Sequence, residues 1–311
     1  MKILVTGGCG YIGSHTCVAL LEAGHELVVL DNLSNSSSES LNRMDKICGR
    51  VPAFVQGDIR NRNLLARLFD EHDFDAVFHF SGLKAVSESV SQPLKYYENN
   101  VVGSLALLEA MVQANVFKLV FSSSATVYGD PGVMPIREDF STDSPANPYG
   151  RSKLMVENIL NDLGKSDPRW EIAILRYFNP VGAHESGLIG EDPSGIPNNL
   201  FPYISQVATG SRGVLSIFGS DYPTADGTGV RDYIHVVDLA RGHLLALNAL
   251  EEQKGINTWN LGTGTGYSVL QVITAFTKAT GNPVPHKIAP RRPGDVAECW
   301  ADPAKAEREL G

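Results

Sequence analysis

Cysteine is scarce in this chain: four in 311 residues, at Cys9, Cys17, Cys48 and Cys299, with no CxxC pair and no metal-like spacing. That excludes a disulfide-stapled scaffold or a zinc ribbon and fits reduced thiols in a cytosol. The eight histidines include no HExxH pair, so a zinc hydrolase has no support and no metal is expected. No apolar run approaches a membrane span. Met1-Lys2-Ile3-Leu4-Val5 enters a strand directly, so neither a signal peptide nor a membrane partner is expected. Positive charge is in the minority, 26 Lys and Arg against 35 Asp and Glu, for a net −9. A nucleic-acid groove wants a basic stripe, so nucleic acid is not an expected partner. A small anion is not excluded, because a few arginines converging on one pocket can hold a diphosphate against an acidic background.

What is present suits a globular enzyme: 43% hydrophobic and 20% charged residues, with length for one α/β domain and a second, smaller one. Ile3-Leu4-Val5-Thr6, Leu27-Val28-Val29-Leu30, Ala53-Phe54-Val55, Ala76-Val77-Phe78-His79-Phe80, Leu119-Val120-Phe121 and Ile172-Ala173-Ile174-Leu175 read as buried strands separated by helical stretches such as residues 94–115. Apolar runs without alternation, spaced by helices, predict a doubly wound parallel sheet covered on both faces. After about Asn179 the rhythm changes, and residues 181–230 are rich in Gly, Pro, Asp and Asn. Residues 233–250 read as a strand-to-helix unit returning to the main sheet. Residues 257–261, 268–280 and 284–288 complete a smaller α/β lobe. The expected division is interwoven: residues 1–178 and 231–255 for a dinucleotide, residues 179–230 and 256–311 for the substrate. Asp302-Pro303 reads as an N-cap with proline at the first helical position of a short last helix.

Gly7, Gly10 and Gly13 form GxxGxxG directly after the first strand and open a helix. Glycine permits the tight turn and close backbone approach to a pyrophosphate, and the helix N-terminus offers free N–H groups to the anion. Asp31 closes the second strand, where a carboxylate accepts from a ribose 2′-OH and repels a 2′-phosphate, so NAD is favoured over NADP. Asp58 follows the third strand and could meet the adenine edge, or simply cap a helix. Asn99 and Lys84 are weaker candidates. A second cluster, Gly262-Thr-Gly264-Thr-Gly266, is not read as a dinucleotide site, because its lobe lacks the sheet and no acidic residue follows at the right distance.

Tyr149-Gly-Arg-Ser-Lys153 opens a helical run over residues 149–163, which puts both side chains on one face, one turn apart. A phenol titrates near about 10, and an adjacent ammonium is expected to draw it down toward neutrality. Such a spacing is by default a solvated helix face. Ser124, at the carboxyl end of the fifth strand, supplies context: in a doubly wound sheet that end faces the ligand crevice. Ser124, Tyr149 and Lys153 together make a constellation for alcohol oxidation.

The chain resembles the extended short-chain dehydrogenase/reductase family from Met1 to Gly311, and within it the branch that epimerises UDP-hexoses at C4. The resemblance is carried by Gly-Tyr-Ile-Gly-Ser-His-Thr at 10–16, Gly-Leu-Lys-Ala-Val at 82–86, Ser-Ser-Ser-Ala-Thr-Val-Tyr-Gly at 122–129, Leu-Arg-Tyr-Phe-Asn-Pro-Val-Gly-Ala-His at 175–184, Gly-Ile-Pro-Asn-Asn-Leu at 195–200 and Asp-Gly-Thr-Gly-Val-Arg-Asp-Tyr-Ile-His-Val at 226–236. It implies a tightly held NAD, with Tyr149 exchanging the proton of the sugar 4-OH, Lys153 on the nicotinamide ribose and Ser124 on the sugar oxygen. It implies that Tyr11, Ile12, Asn32, Asn35, Ser36, Ile59, Phe80 and Phe178 join the residues above around NAD. It implies a UDP-sugar site of Lys84, Tyr177, Asn179, Asn199, Leu200, Ile217, Phe218, Arg231, Tyr233, Arg292, Asp295 and Cys299. A homodimer is implied by the resemblance alone. Sugar-nucleotide 4,6-dehydratases of the family carry an acidic pair after the serine-rich strand, and Ala125 and Thr126 stand there instead.

The chain departs from that pattern twice. Many relatives have an aromatic residue four past the aspartate of an Arg-x-Gly-Asp stretch, whereas Arg292-Pro293-Gly294-Asp295 leads to Cys299. The family associates a small side chain there with 2-acetamido sugars, so use of UDP-GlcNAc and UDP-GalNAc is expected beside UDP-Glc and UDP-Gal. A cysteine that merely packs is the alternative. Relatives also continue through further helix, so a truncated or missing tail is expected. Two other functions stay open: a sugar-nucleotide reductase, dehydrogenase or decarboxylase with net NADH change or CO₂ release, and a silent NAD-binding regulator. Ser124, Tyr149 and Lys153 together count against the regulator.

Overall fold

The computed structural model describes residues 1–193, 195–292 and 294–311 of the chain, so Pro293 of the Arg-x-Gly-Asp stretch lies outside the described residues. In chain order the elements are β1 (Lys2–Thr6), α1 (Tyr11–Glu22), β2 (Glu26–Asp31), α2 (Glu39–Cys48), β3 (Ala53–Gln56), α3 (Arg62–Glu71), β4 (Ala76–His79), α4 (Val86–Ser91) and α5 (Pro93–Tyr96). A π-helical turn, Tyr97–Val102, leads into α6 (Gly103–Gln113), then β5 (Lys118–Ser124), a 3-10 turn (Ala125–Tyr128), α7 (Pro148–Ser166), β6 (Glu171–Tyr177) and β7 (Asn179–Val181). The remainder is α8 (Leu200–Ala208), β8 (Leu215–Phe218), β9 (Val230–His235), α9 (Val236–Ala249), β10 (Gly255–Leu261), β11 (Gly266–Ser268), α10 (Val269–Thr280), β12 (His286–Ala289), β13 (Glu298–Cys299) and α11 (Ala304–Leu310).

The predicted apolar runs pair in parallel into one seven-stranded sheet, ordered β10-β6-β5-β4-β1-β2-β3. Successive side chains point to opposite faces, so Ile3, Val5, Val29 and Phe78 pack under α1 and α9 while Leu4, Val28, Leu30 and Val77 pack under α3, α6 and α7. Both faces are covered, which is why these strands read as unbroken apolar runs. Strand order reverses between β1 and β4, and a crevice opens above their carboxyl ends.

The expected division of the second half needs two corrections. Residues 257–261 read from the sequence as part of the smaller lobe, but β10 lies on β6 in the large sheet, from Gly255↔Glu171 to Leu261↔Tyr177. As an edge strand it is only half-buried along its first four residues, so its sequence lacks the continuous apolar run of its neighbours. Conversely, β9 does not return to the large sheet. It pairs with β7, β11 and β13, and only α9 goes back, against α1. The smaller lobe adds a two-stranded β8–β12 sheet and a core of Ile204, Val207, Leu215, Ile217, Val272, Ile273 and Val284. The last helix starts one residue later than expected: Pro303 is its N-cap, and Asp302 accepts from the Ala304 N–H at 3.0 Å. Among the described residues no helix is long and apolar enough to cross a membrane.

Candidate active site

The turn between β1 and α1 is glycine by necessity. Gly7 has φ +73°, and a Cβ on it would lie 2.7 Å from the Ser81 nitrogen; one on Gly13 would lie 2.3 Å from the Gly7 carbonyl. No side chain caps α1 at Gly10, which leaves the first N–H groups of a twelve-residue helix for an anion. Asp31 at the end of β2 is buried, accepting from Cys9 N at 3.0 Å, Leu33 N at 2.9 Å and Ser36 Oγ at 2.9 Å. A carboxylate has about four lone-pair sites, so capacity remains for a ribose hydroxyl. Cradle, uncapped helix and acceptor fit NAD.

The crevice has a volume of about 840 Å³. Of the expected residues it is lined by Gly7, Gly10, Tyr11, Ile12, Gly13, Asp31, Asn32, Asn35, Ser36, Ile59, Phe80, Lys84, Asn99, Tyr149, Lys153, Tyr177 and Asn199. Ser124 and Phe178 do not line it, and neither does Asp58. Its carboxylate is turned onto Arg60, which donates from Nε and Nη2 at 2.8 Å each, and onto Asn32 Nδ2 at 3.1 Å. That fork holds the Asp58 carboxyl well below the usual carboxylate range. Arg60, which sequence reasoning missed, faces the crevice instead.

At the opposite end, α7 is capped by Asn147, whose Oδ1 accepts from Gly150 N at 2.9 Å, with Pro148 in its first turn. Lys153 is 5% exposed; its Nζ donates to the Ser122 carbonyl at 2.7 Å and stands 5.0 Å from the centre of the Phe121 ring. Burial draws the ammonium down to about 8, and the Glu157 carboxylate works against that shift. Ser124 Oγ accepts from Thr126 N at 3.3 Å and Thr126 Oγ1 at 3.0 Å, which leaves its own proton to donate. The Tyr149 phenol is not drawn toward neutrality by Lys153, as the spacing led one to expect. Burial pushes it up, and the hydrogen bond with Ser124 is what pulls it down.

Several contributing residues gave no clear signal in the sequence. Asn100, buried in the π-helical turn, accepts from Leu83 N at 2.8 Å and donates to Leu83 O and Ser152 Oγ at 3.0 Å each. It pins the loop after β4 to α7, and an Asn-Asn pair in an apolar helix was its only trace. Glu191 accepts from Lys84 at 2.9 Å and from Asn199, joining two residues expected on the ligand. Tyr177 hydrogen-bonds the Nε2 of buried His243, whose Nδ1 lies 2.7 Å from the Leu239 carbonyl; Nδ1 is thus the donor and Nε2 the acceptor.

The remaining expected residues sit on the smaller lobe or the floor between the sheets. Phe178 is buried with Ala125, Val127, Tyr128, Ile136 and Ala301, and half-buried Cys299 packs on the same cluster. Asn179 begins β7 beside Tyr233 of β9. Leu200 opens α8, while Ile217 and Phe218 end β8. The Arg292 guanidinium stacks 4.8 Å from the Phe218 ring centre and pairs with Asp295 at 3.0 Å. Arg231 donates to the carbonyls of Val230 at 2.7 Å and Val296 at 2.8 Å, and Cys299 is its partner on β13. Burial pushes the Cys299 thiol up to about 11 and the Tyr233 phenol to about 12, with Arg231 opposing both.

The NAD dependent epimerase/dehydratase family model matches residues 3–262. The UDP-glucose 4-epimerase of Bacillus subtilis (strain 168) is 61% identical over 311 residues, covering 100% of this chain and 91% of that protein. The crystal structure of UDP-glucose 4-epimerase from Bifidobacterium longum in complex with NAD+ and UDP has a TM-score of 0.98 and 53% identity, covering 100% of this chain and 92% of that one. The UDP-glucose-4-epimerase of Stenotrophomonas maltophila, with bound NAD and formylated UDP-arabinopyranose, has a TM-score of 0.97 and 55% identity over the same shares.

Proposed function

Because this chain belongs to the NAD dependent epimerase/dehydratase family, we propose that it is the enzyme that interconverts UDP-galactose and UDP-glucose at C4, with NAD as a retained cofactor. The observation that carries the reading is the convergence of Ser124, Tyr149 and Lys153 beside the glycine cradle, with Ala125 and Thr126 where a dehydratase needs an acidic pair. NAD supplies a reversible hydride acceptor for the sugar C4, so the turnover has no net redox change, and its positive charge offsets the burial of the phenol.

The chain's own residues supply the proton chemistry. Tyr149 takes the 4-OH proton as C4 is oxidised and returns it when C4 is reduced from the other face. Ser124, its proton free, donates to the sugar oxygen. Lys153, fixed by the Ser122 carbonyl, holds the nicotinamide ribose. Asn179, Asn199, Arg231 and Arg292, with Phe218 and Tyr233, hold UDP, for which the arginines offer planar forks. Cys299, half-buried beside Arg231, is smaller than the aromatic residue of many relatives, and UDP-GlcNAc and UDP-GalNAc belong to the same reading. Val90, Leu94, Val112 and Met155, exposed on α4 to α7, support a homodimer, and the four free thiols fit a cytoplasmic protein.

The test is conversion of UDP-galactose by purified protein without added cofactor, followed by NMR, with NAD measured after denaturation. Loss of turnover by at least about a hundredfold in Tyr149→Phe, with NAD retained, supports the enzyme. Net NADH formation, or turnover unchanged in that variant, sinks the reading.

A further inference from the structure

Three consecutive serines end β5, and each meets a different turn of α7. The Ser122 carbonyl accepts from Lys153, Ser123 Oγ donates to Glu157, and Ser124 stands beside Tyr149. Tyr149, Lys153 and Glu157 are spaced by four, so they form one stripe along the helix. The far end of the stripe is a buried charge pair. Arg176 on β6, the cross-strand partner of Ser123, donates to Glu157 from Nη2 at 2.7 Å and Nε at 3.1 Å. Its Nη1 donates to the Tyr128 hydroxyl at 2.8 Å, which donates to Asn260 of β10 at 2.7 Å. Glu157 and Arg176 are 2% and 7% exposed.

Burying such a pair is costly, and apolar residues of similar volume would join helix and strand as well or better. Stability alone is a weak reason for it to be there. Its location supplies a better one, because Glu157 sits one helical turn behind Lys153. The groups facing Lys153 are Tyr149 and Glu157 on its own helix, the Ser122 carbonyl and Phe121 ring on β5, and His79 on β4. Burial keeps His79 neutral, with its pKa near about 3. Among these, Glu157 is the one anion.

We propose that Glu157, fixed by Arg176 and Ser123, is a positioning residue for the epimerisation: it sets the end of β5 against α7 and holds a counter-charge behind the Lys153 ammonium. It does not line the crevice, so it acts through Lys153 and the serines rather than on the sugar. The inference rests on the proposed function, since it assigns Lys153 the same work.

The experiment compares wild type, Glu157→Gln, Glu157→Asp and Ser123→Ala. It follows the Lys153 side chain by 13C-lysine NMR titration and the pH profile of kcat and KM with UDP-galactose. In Glu157→Gln the lysine titration and the alkaline limb of kcat both move down by about half a pH unit or more, with KM within about twofold. Glu157→Asp keeps the charge and keeps the limb. Ser123→Ala lowers kcat by several fold, with the limb unmoved. An unmoved lysine titration in Glu157→Gln overturns the inference; if that variant does not fold, an unchanged kcat in Ser123→Ala overturns it. A wild type that folds, titrates and has no epimerase activity refutes the proposed function instead, and the NMR arm still decides the charge relation.

Discussion

Gly150 on α7 and Thr126 in the 3-10 turn approach so closely that a Cβ on Gly150 would lie 2.7 Å from the Thr126 carbonyl oxygen and 3.2 Å from its carbon. The obstacle is backbone, which cannot swing aside as a side chain can. The glycine in Tyr149-Gly-Arg-Ser-Lys153 thus sets how near the first turn of the helix comes to the serine end of β5.

Gly150→Ala should push that turn outward and separate Tyr149 from Ser124. The expected outcome is a fall in kcat of at least about tenfold and a loss of about 1–3 kcal/mol in unfolding free energy. Steady-state kinetics and urea unfolding measure the two, and kcat unchanged with lowered stability would separate the packing from the chemistry.

Acid should destabilise the protein through His243. Burial lowers its pKa from 6.5 to about 4, so between those values the unfolded chain binds a proton that the folded chain does not. Stability must therefore fall as pH drops below about 6.5, with His243 contributing a slope of about 1 kcal/mol per pH unit. In His243→Gln, urea unfolding between pH 7 and 5 should show a shallower loss. An identical slope would mean the histidine is not held neutral.

The Cys299→Tyr variant tests the width of the sugar pocket. Loss of UDP-GlcNAc/UDP-GalNAc turnover by at least about tenfold, with the UDP-Glc/UDP-Gal pair within about threefold of wild type, is the expected result. NMR of both epimer pairs reads it directly. A wild type that ignores the acetamido pair ends the idea.

The sequence disclosed what local chemistry dictates. Gly7 and Gly13 were legible from their spacing directly after the first strand, Ser124 from its place at the end of β5, and Tyr149 and Lys153 from their spacing of four at the start of a helical run. What it hid depends on partners distant in the chain. Asp58, open between adenine contact and helix cap, is held by Arg60, while Asn100, which drew no reading from the sequence, joins a loop to α7. The second glycine cluster shows the limit clearly. Gly264 and Thr263 give their N–H groups to Asp232, a fully buried carboxylate that also accepts from Ala301 N, and a Cβ on Gly262 would lie 2.6 Å from that carboxylate. A glycine-rich loop that wraps an internal anion resembles one that waits for a phosphate.

Placement of β10 on the large sheet has a consequence for biosynthesis. The chain leaves the ribosome with β5 and β6 complete long before residues 255–261 exist, and until then the outer edge of β6 is open. An unpaired apolar edge is a template for a neighbouring chain. While residues 178–254 are made, that edge of the large sheet stays open, and it closes only when a strand that follows β9 and α9 in the chain pairs with β6.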